Sequence, residues 1–144
     1  MKLITCHASA GISGFPSPAA DYVELPLSLD QLLVEHPSST WFGRAAGCSM
    51  EGVGIYDGDI LVIDRAAKRR NLSIVVASYN GEFTVKLLNE KRRLLVSIDQ
   101  QQNMTSVAID DADTFSVEGV IIKSIRLHEH SNLLERYLSQ PCSD

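Results

Sequence analysis

Ser73-Ile74-Val75-Val76-Ala77-Ser78-Tyr79-Asn80-Gly81-Glu82-Phe83-Thr84-Val85-Lys86-Leu87-Leu88 is the stretch that decides the fold class. Two β-branched runs of strand length flank Asn80-Gly81, a dipeptide suited to the left-handed conformations of a two-residue hairpin turn. Working outward, runs of the same character cover Trp41 to Ala45, Ile60 to Ile63, Leu94 to Ile98 and Phe115 to Ile125, with turn signals such as Asp57-Gly58-Asp59 between them. The body, residues 23–126, therefore reads as mainly β. At its start Ser28-Leu29-Asp30-Gln31 has the form of a capping box and Pro37 a stop, which predicts one short N-terminal helix. Residues 1–22 are small, polar and proline-containing without sustained periodicity, the pattern of a flexible arm. In the extension 127–144, Asn132 with Glu135 and the apolar face Leu133, Leu134, Tyr137 and Leu138 allow a short C-terminal helix.

A chain of 144 residues with 44% hydrophobic and 22% charged residues fits one domain with a real core. Its net charge of −5 argues against direct DNA binding, which rests on clustered Lys and Arg. Lys68-Arg69-Arg70 and Lys91-Arg92-Arg93 lie between apolar runs and read as solvated turns. Three cysteines, Cys6, Cys48 and Cys142, lack metal-ligand spacing, and the N-terminus has no charged-then-apolar signal segment, so the expected compartment is the cytoplasm. Charged or polar residues interrupt every apolar run well before about 18 residues, so no membrane partner is expected. His128-x-His130 with Cys142, and Asp57 with Asp59 and Asp64, are the two imaginable metal sites. A solvated tail and a turn explain them better, and the expectation is no metal and no cofactor.

One residue in the opening stretch is out of place. Lys86 sits in what otherwise reads as a buried strand, where apolar surroundings disfavour the ammonium and leave a neutral amine. Such an amine is a competent general base for a serine hydroxyl. To act near neutral pH its pKa must fall by roughly 3 pH units from about 10.4, or about 4 kcal/mol of desolvation, which requires a covered site. The matching hydroxyl is Ser49, in the tight turn Gly47-Cys48-Ser49-Met50 that follows an apolar run. Backbone N–H groups of Gly47 and Ser49 would stabilise the oxyanion. His7, His36, His128 and His130 fall in the arm, at a helix end and in the tail, and none is needed. Cys48 is a rival nucleophile by intrinsic reactivity, against the reading of a small apolar filler.

Four segments, Ser13-Gly14-Phe15-Pro16-Ser17-Pro18-Ala19-Ala20-Asp21-Tyr22, Gly47-Cys48-Ser49-Met50, Tyr56-Asp57-Gly58-Asp59-Ile60-Leu61-Val62-Ile63-Asp64 and Glu82-Phe83-Thr84-Val85-Lys86, resemble the UmuD-type proteins of the LexA-like serine peptidase family. The resemblance runs from about Gly14 to about Ile125. It implies a curled β-sheet assembly with a barrel-like portion, of the kind shared by LexA and signal peptidase, and self-cleavage by Ser49 (nucleophile) and Lys86 (general base). By the same resemblance the cut falls between Ser13 and Gly14, is promoted by a RecA filament on single-stranded DNA, and yields an accessory subunit of a Y-family, error-prone translesion polymerase in the SOS response. Homodimerisation is implied as well. Three departures stand out: Ser13 replaces the usual alanine or cysteine, the arm before the bond is short, and Cys48 replaces the usual aspartate. They keep open the alternative of a non-proteolytic binding module for the polymerase or RecA. A LexA-like repressor is disfavoured, because the segment before Phe15 is too short for a helix-turn-helix domain.

Overall fold

Two units divide the chain, residues 1–35 and 36–144. The computed structural model describes residues 2–4, 22–24 and 28–129 of them. In the first unit β1 (Lys2–Ile4) pairs antiparallel with β2 (Tyr22–Glu24), Leu3 opposite Val23. The sequence reading has no strand here, because three residues are too few for alternation to register. The expected helix is α1 (Leu29–Leu33), with both halves of its capping box formed: Ser28 Oγ accepts from Gln31 N–H at 3.1 Å and Gln31 Oε1 from Ser28 N–H at 3.0 Å. No α1 side chain is buried and Leu29 is 57% exposed, so little beyond the cap holds it. It ends at Val34, in extended backbone, before Pro37, which opens a 3-10 turn through Ser39 instead.

The second unit is a seven-stranded sheet with every neighbouring pair antiparallel. Its strands are β3 (Thr40–Arg44), β4 (Ile60–Asp64), β5 (Ser73–Tyr79), β6 (Glu82–Asn89), β7 (Leu94–Ile98), β8 (Met104–Ala108) and β9 (Phe115–Ile125), in the order β3-β4-β9-β5-β6-β7-β8. The mainly β expectation holds, and the ladder is not closed into a barrel: β3 and β8 are its two edges. The β5–β6 hairpin turns on Asn80 (φ 50°) and Gly81 (φ 86°), with Tyr79 opposite Glu82, the mirror-image turn its sequence predicts. Six strands fall within a residue or so of the expected runs. The seventh, β8, is absent from the sequence reading because all five of its side chains are exposed, leaving no apolar alternation to detect.

Long β9 lies between β4 and β5 and breaks register twice, between Val62 and Ile63 of β4 and between Val76 and Ala77 of β5. Such irregularities sharpen local twist and curl a sheet. Alternation then builds a core on each face. One contains Met50, Ile55, Leu61, Ile63, Val76, Leu87, Val96 and Ile121, and the other Val75, Ala77, Leu88, Leu95, Ile109 and Val120. Among the described residues, no helix is long and apolar enough to cross a membrane. The C-terminal helix considered for 132–138 lies outside the described residues.

Candidate active site

Residues 45–59 connect β3 to β4 and carry Ser49 on a loop whose two ends are tied together. Ala45 N–H donates to Asp59 O at 2.8 Å and Gly58 N–H to Ala45 O at 2.9 Å. Inside this closure the chain tightens. Glu51 N–H reaches Cys48 O at 3.3 Å, and Met50 O accepts from both Val53 and Ile55 N–H at 3.1 and 3.2 Å. Met50 and Ile55 are buried in the first core, which anchors the turn by its apolar side and leaves Ser49 exposed. A further contact sets its depth. Gly52 lies so close to β7 that a Cβ there would stand 2.5 Å from both Asp99 O and Ile98 Cγ2.

Lys86 arrives from the other side, in β6, opposite Val75 of β5 and next to Leu87, which pairs with Val96 of β7. Its Nζ donates to Ser49 Oγ at 3.1 Å. The same separation serves the reverse transfer, serine proton to neutral amine. Burial pushes the Lys86 pKa below the ordinary lysine value. Around the pair lies a cleft of about 420 Å³, with Trp41, Leu61, Ile63, Val76 and Phe83 among its walls. Lys86 is half-buried while Ser49 is exposed, so one side of the cleft is open to solvent.

The other sequence-predicted residues take varied places. Gly47 N–H, expected as an oxyanion donor, is already engaged, donating to Asp57 Oδ1 at 2.8 Å. Among the described residues the Ser49 N–H has no such partner. Cys48 is exposed and absent from the cleft wall, which Ser49, the next residue, does line. The three aspartates go separate ways. Asp57 holds Gly47, and Asp59 pairs with Arg126. Asp64, fully buried, accepts from Ser39 Oγ at 3.1 Å and Ala66 N–H at 2.8 Å and meets His36 Nδ1 at 2.5 Å. Burial raises the Asp64 pKa, but those three hydrogen bonds outweigh it and hold the carboxyl below its usual range. Ser13, Gly14, His130 and Cys142 lie outside the described residues.

Sequence reasoning passes over two residues that shape this site. Gly52 carries no signal in a single chain, because its need is a close approach to a strand about fifty residues away. Arg126, just past β9, looks like a solvated charge until the register places it beside Asp59.

Residues 3–122 match the family described as Peptidase S24-like. Among curated proteins, the chain is 48% identical over 82 residues to Protein SamA of Salmonella typhimurium, covering 57% of this chain and 59% of that protein. It is 43% identical over 119 residues to Protein MucA of Escherichia coli, covering 81% and 80%. To the LexA repressor of Bordetella petrii it is 32% identical over 115 residues, 79% of this chain but half the length of the repressor. Together with the serine and lysine brought to hydrogen-bonding distance in a β-sheet cleft, these likenesses agree on one assignment: the chain belongs to the Peptidase S24-like family, with homologues of the UmuD type.

Proposed function

We propose that Ser49 and Lys86 are the nucleophile and general base of a self-cleavage at the Ser13–Gly14 bond. The observation that carries the reading is the 3.1 Å contact between Lys86 Nζ and Ser49 Oγ, two groups distant in sequence, with the amine half-buried. As Ser49 Oγ attacks the Ser13 carbonyl carbon, Lys86 takes its proton and a tetrahedral oxyanion forms. Collapse breaks the C–N bond, and Lys86 returns the proton to the Gly14 nitrogen, which leaves as a free amine. Water then attacks the Ser13–Ser49 ester, with Lys86 again the base, and frees the Ser13 carboxylate and the serine hydroxyl. The Ser49 N–H, unpartnered among the described residues, would serve as the oxyanion donor, since the Gly47 N–H is held by Asp57.

The open side of the cleft gives the substrate a second part to play. An extended segment laid over Ser49 would exclude water from Lys86 and drive its pKa further down, so the base becomes active when the scissile bond arrives. A RecA filament on single-stranded DNA fits this scheme as the partner that favours the docked conformer, a shift of population that adds no catalytic group. The cut chain would then act as a homodimeric accessory subunit of a Y-family translesion polymerase in the SOS response, with no DNA contact of its own required.

Purified protein incubated with RecA filaments, and separately at alkaline pH, should yield a fragment whose mass and N-terminal sequence begin at Gly14. If no such fragment forms under either condition, the non-proteolytic module replaces this reading.

A further inference from the structure

The nucleophile loop is fastened from outside by one side chain that none of the chemistry above uses. In the β4–β9 ladder Ile60 lies opposite Ile125, so Asp59 and Arg126 are the next pair beyond its end. Arg126 Nε donates to Asp59 Oδ1 and Nη2 to Asp59 Oδ2, each at 2.9 Å. Nη2 also reaches Gly54 O at 3.1 Å, and the guanidinium carbon stands 3.9 Å from the centre of the Tyr56 ring. Asp59, 2% exposed, in turn accepts from Tyr56 N–H through Oδ2 at 2.9 Å. One planar cation thus grips the base of the loop, its middle, and the end of the turn that starts at Met50. A lysine point charge has no fork with which to make all of these contacts.

We infer that Arg126 is a positioning residue for self-cleavage, holding Gly54, Tyr56 and Asp59 so that the turn through Met50 presents Ser49 to Lys86. The path is short. Gly54 ends the 3-10 turn Glu51–Val53, and Met50 O, the acceptor for Val53 and Ile55 N–H, belongs to the residue after Ser49. Releasing Gly54 O and Tyr56 therefore loosens the hydrogen bonds that aim the nucleophile, while Lys86, on β6, makes no contact with Arg126. The Asp59 carboxyl follows the same logic: the Arg126 hydrogen bond is the largest influence on it and holds its pKa down against burial.

This inference rests on the Ser49–Lys86 reading, and the test separates the two. Arg126→Ala alone strands a buried carboxylate and risks misfolding, so the informative variant is Arg126→Ala with Asp59→Asn, which leaves a neutral amide. Its self-cleavage rate, compared with wild type at equal folded fraction, should fall on the order of 10- to 100-fold, as a displaced nucleophile would. The midpoint of the pH–rate profile, which reports Lys86, should stay where it is. In Arg126→Ala, guanidinium at low millimolar concentration should restore part of the rate, and urea at the same concentration should not. A double variant at the wild-type rate, a midpoint that moves with the rate, or rescue by urea as well would overturn the assignment. Persistence of the Gly14 fragment in Ser49→Ala would instead bring down the reading beneath it, and this inference with it.

Discussion

Ser49→Ala should leave the chain uncut, and Lys86→Ala should slow the proposed cut by roughly 10²- to 10⁴-fold, the usual worth of a positioned general base. Densitometry of the fragment beginning at Gly14, followed over time, measures both. In wild type the rate should climb about tenfold per pH unit below the Lys86 pKa, because the neutral amine is the reactive form, and level off above it. Burial lowers that pKa, so the plateau begins at a lower pH than for a solvated lysine. The sign for stability runs with this. Folding favours the uncharged amine, so the folded state gains on the unfolded one as pH rises toward the ordinary lysine value. Removing the amine relieves this constraint on folding, and a folded, uncleaved Lys86→Ala is the expected product. A Lys86→Ala protein that cuts at the wild-type rate would rule out Lys86 as the base.

Gly52→Ala should be the most damaging single methyl in the loop. The added Cβ would stand 2.5 Å from Asp99 O, which belongs to backbone at the end of β7 and has little room to retreat. The turn must then lift away from β7. Because β7 is registered to β6 and β6 carries Lys86, lifting the turn separates serine from lysine. Overpacking of this kind costs about 1–3 kcal/mol of stability. A displacement near 1 Å at the nucleophile slows reaction by roughly 10²-fold. Thermal unfolding reads the first effect. Self-cleavage at a temperature where the variant is fully folded reads the second, and a normal rate there would mean that Gly52 spaces nothing of consequence.

What the sequence discloses follows from how local each cause is. Asn80-Gly81 and Ser28 with Gln31 act within a few residues, and both devices stand in the structure as read. Strands β4, β5, β6, β7 and β9 betray themselves by apolar runs, because both faces of this sheet are covered. Strand β8 does not, since an exposed edge selects no pattern. Lys86 is legible for the opposite reason: a cation in an apolar strand violates the local rule, and violations gather at working sites. Gly52, Arg126 and the engagement of Gly47 by Asp57 are set by what the fold brings alongside, and no spacing in a linear chain announces them.

The two cores lie on opposite faces of one sheet, and the loop that carries Ser49 contributes Ala45, Met50 and Ile55 to only the first. Under the proposed self-cleavage, drift at Ile109 would therefore bear on how long the folded chain survives in a cell, whereas drift around Met50 would also alter how quickly each molecule is consumed by its own cut. Lifetime and expenditure rate, the two quantities that would set how much uncut protein persists, would then have partly separate genetic handles.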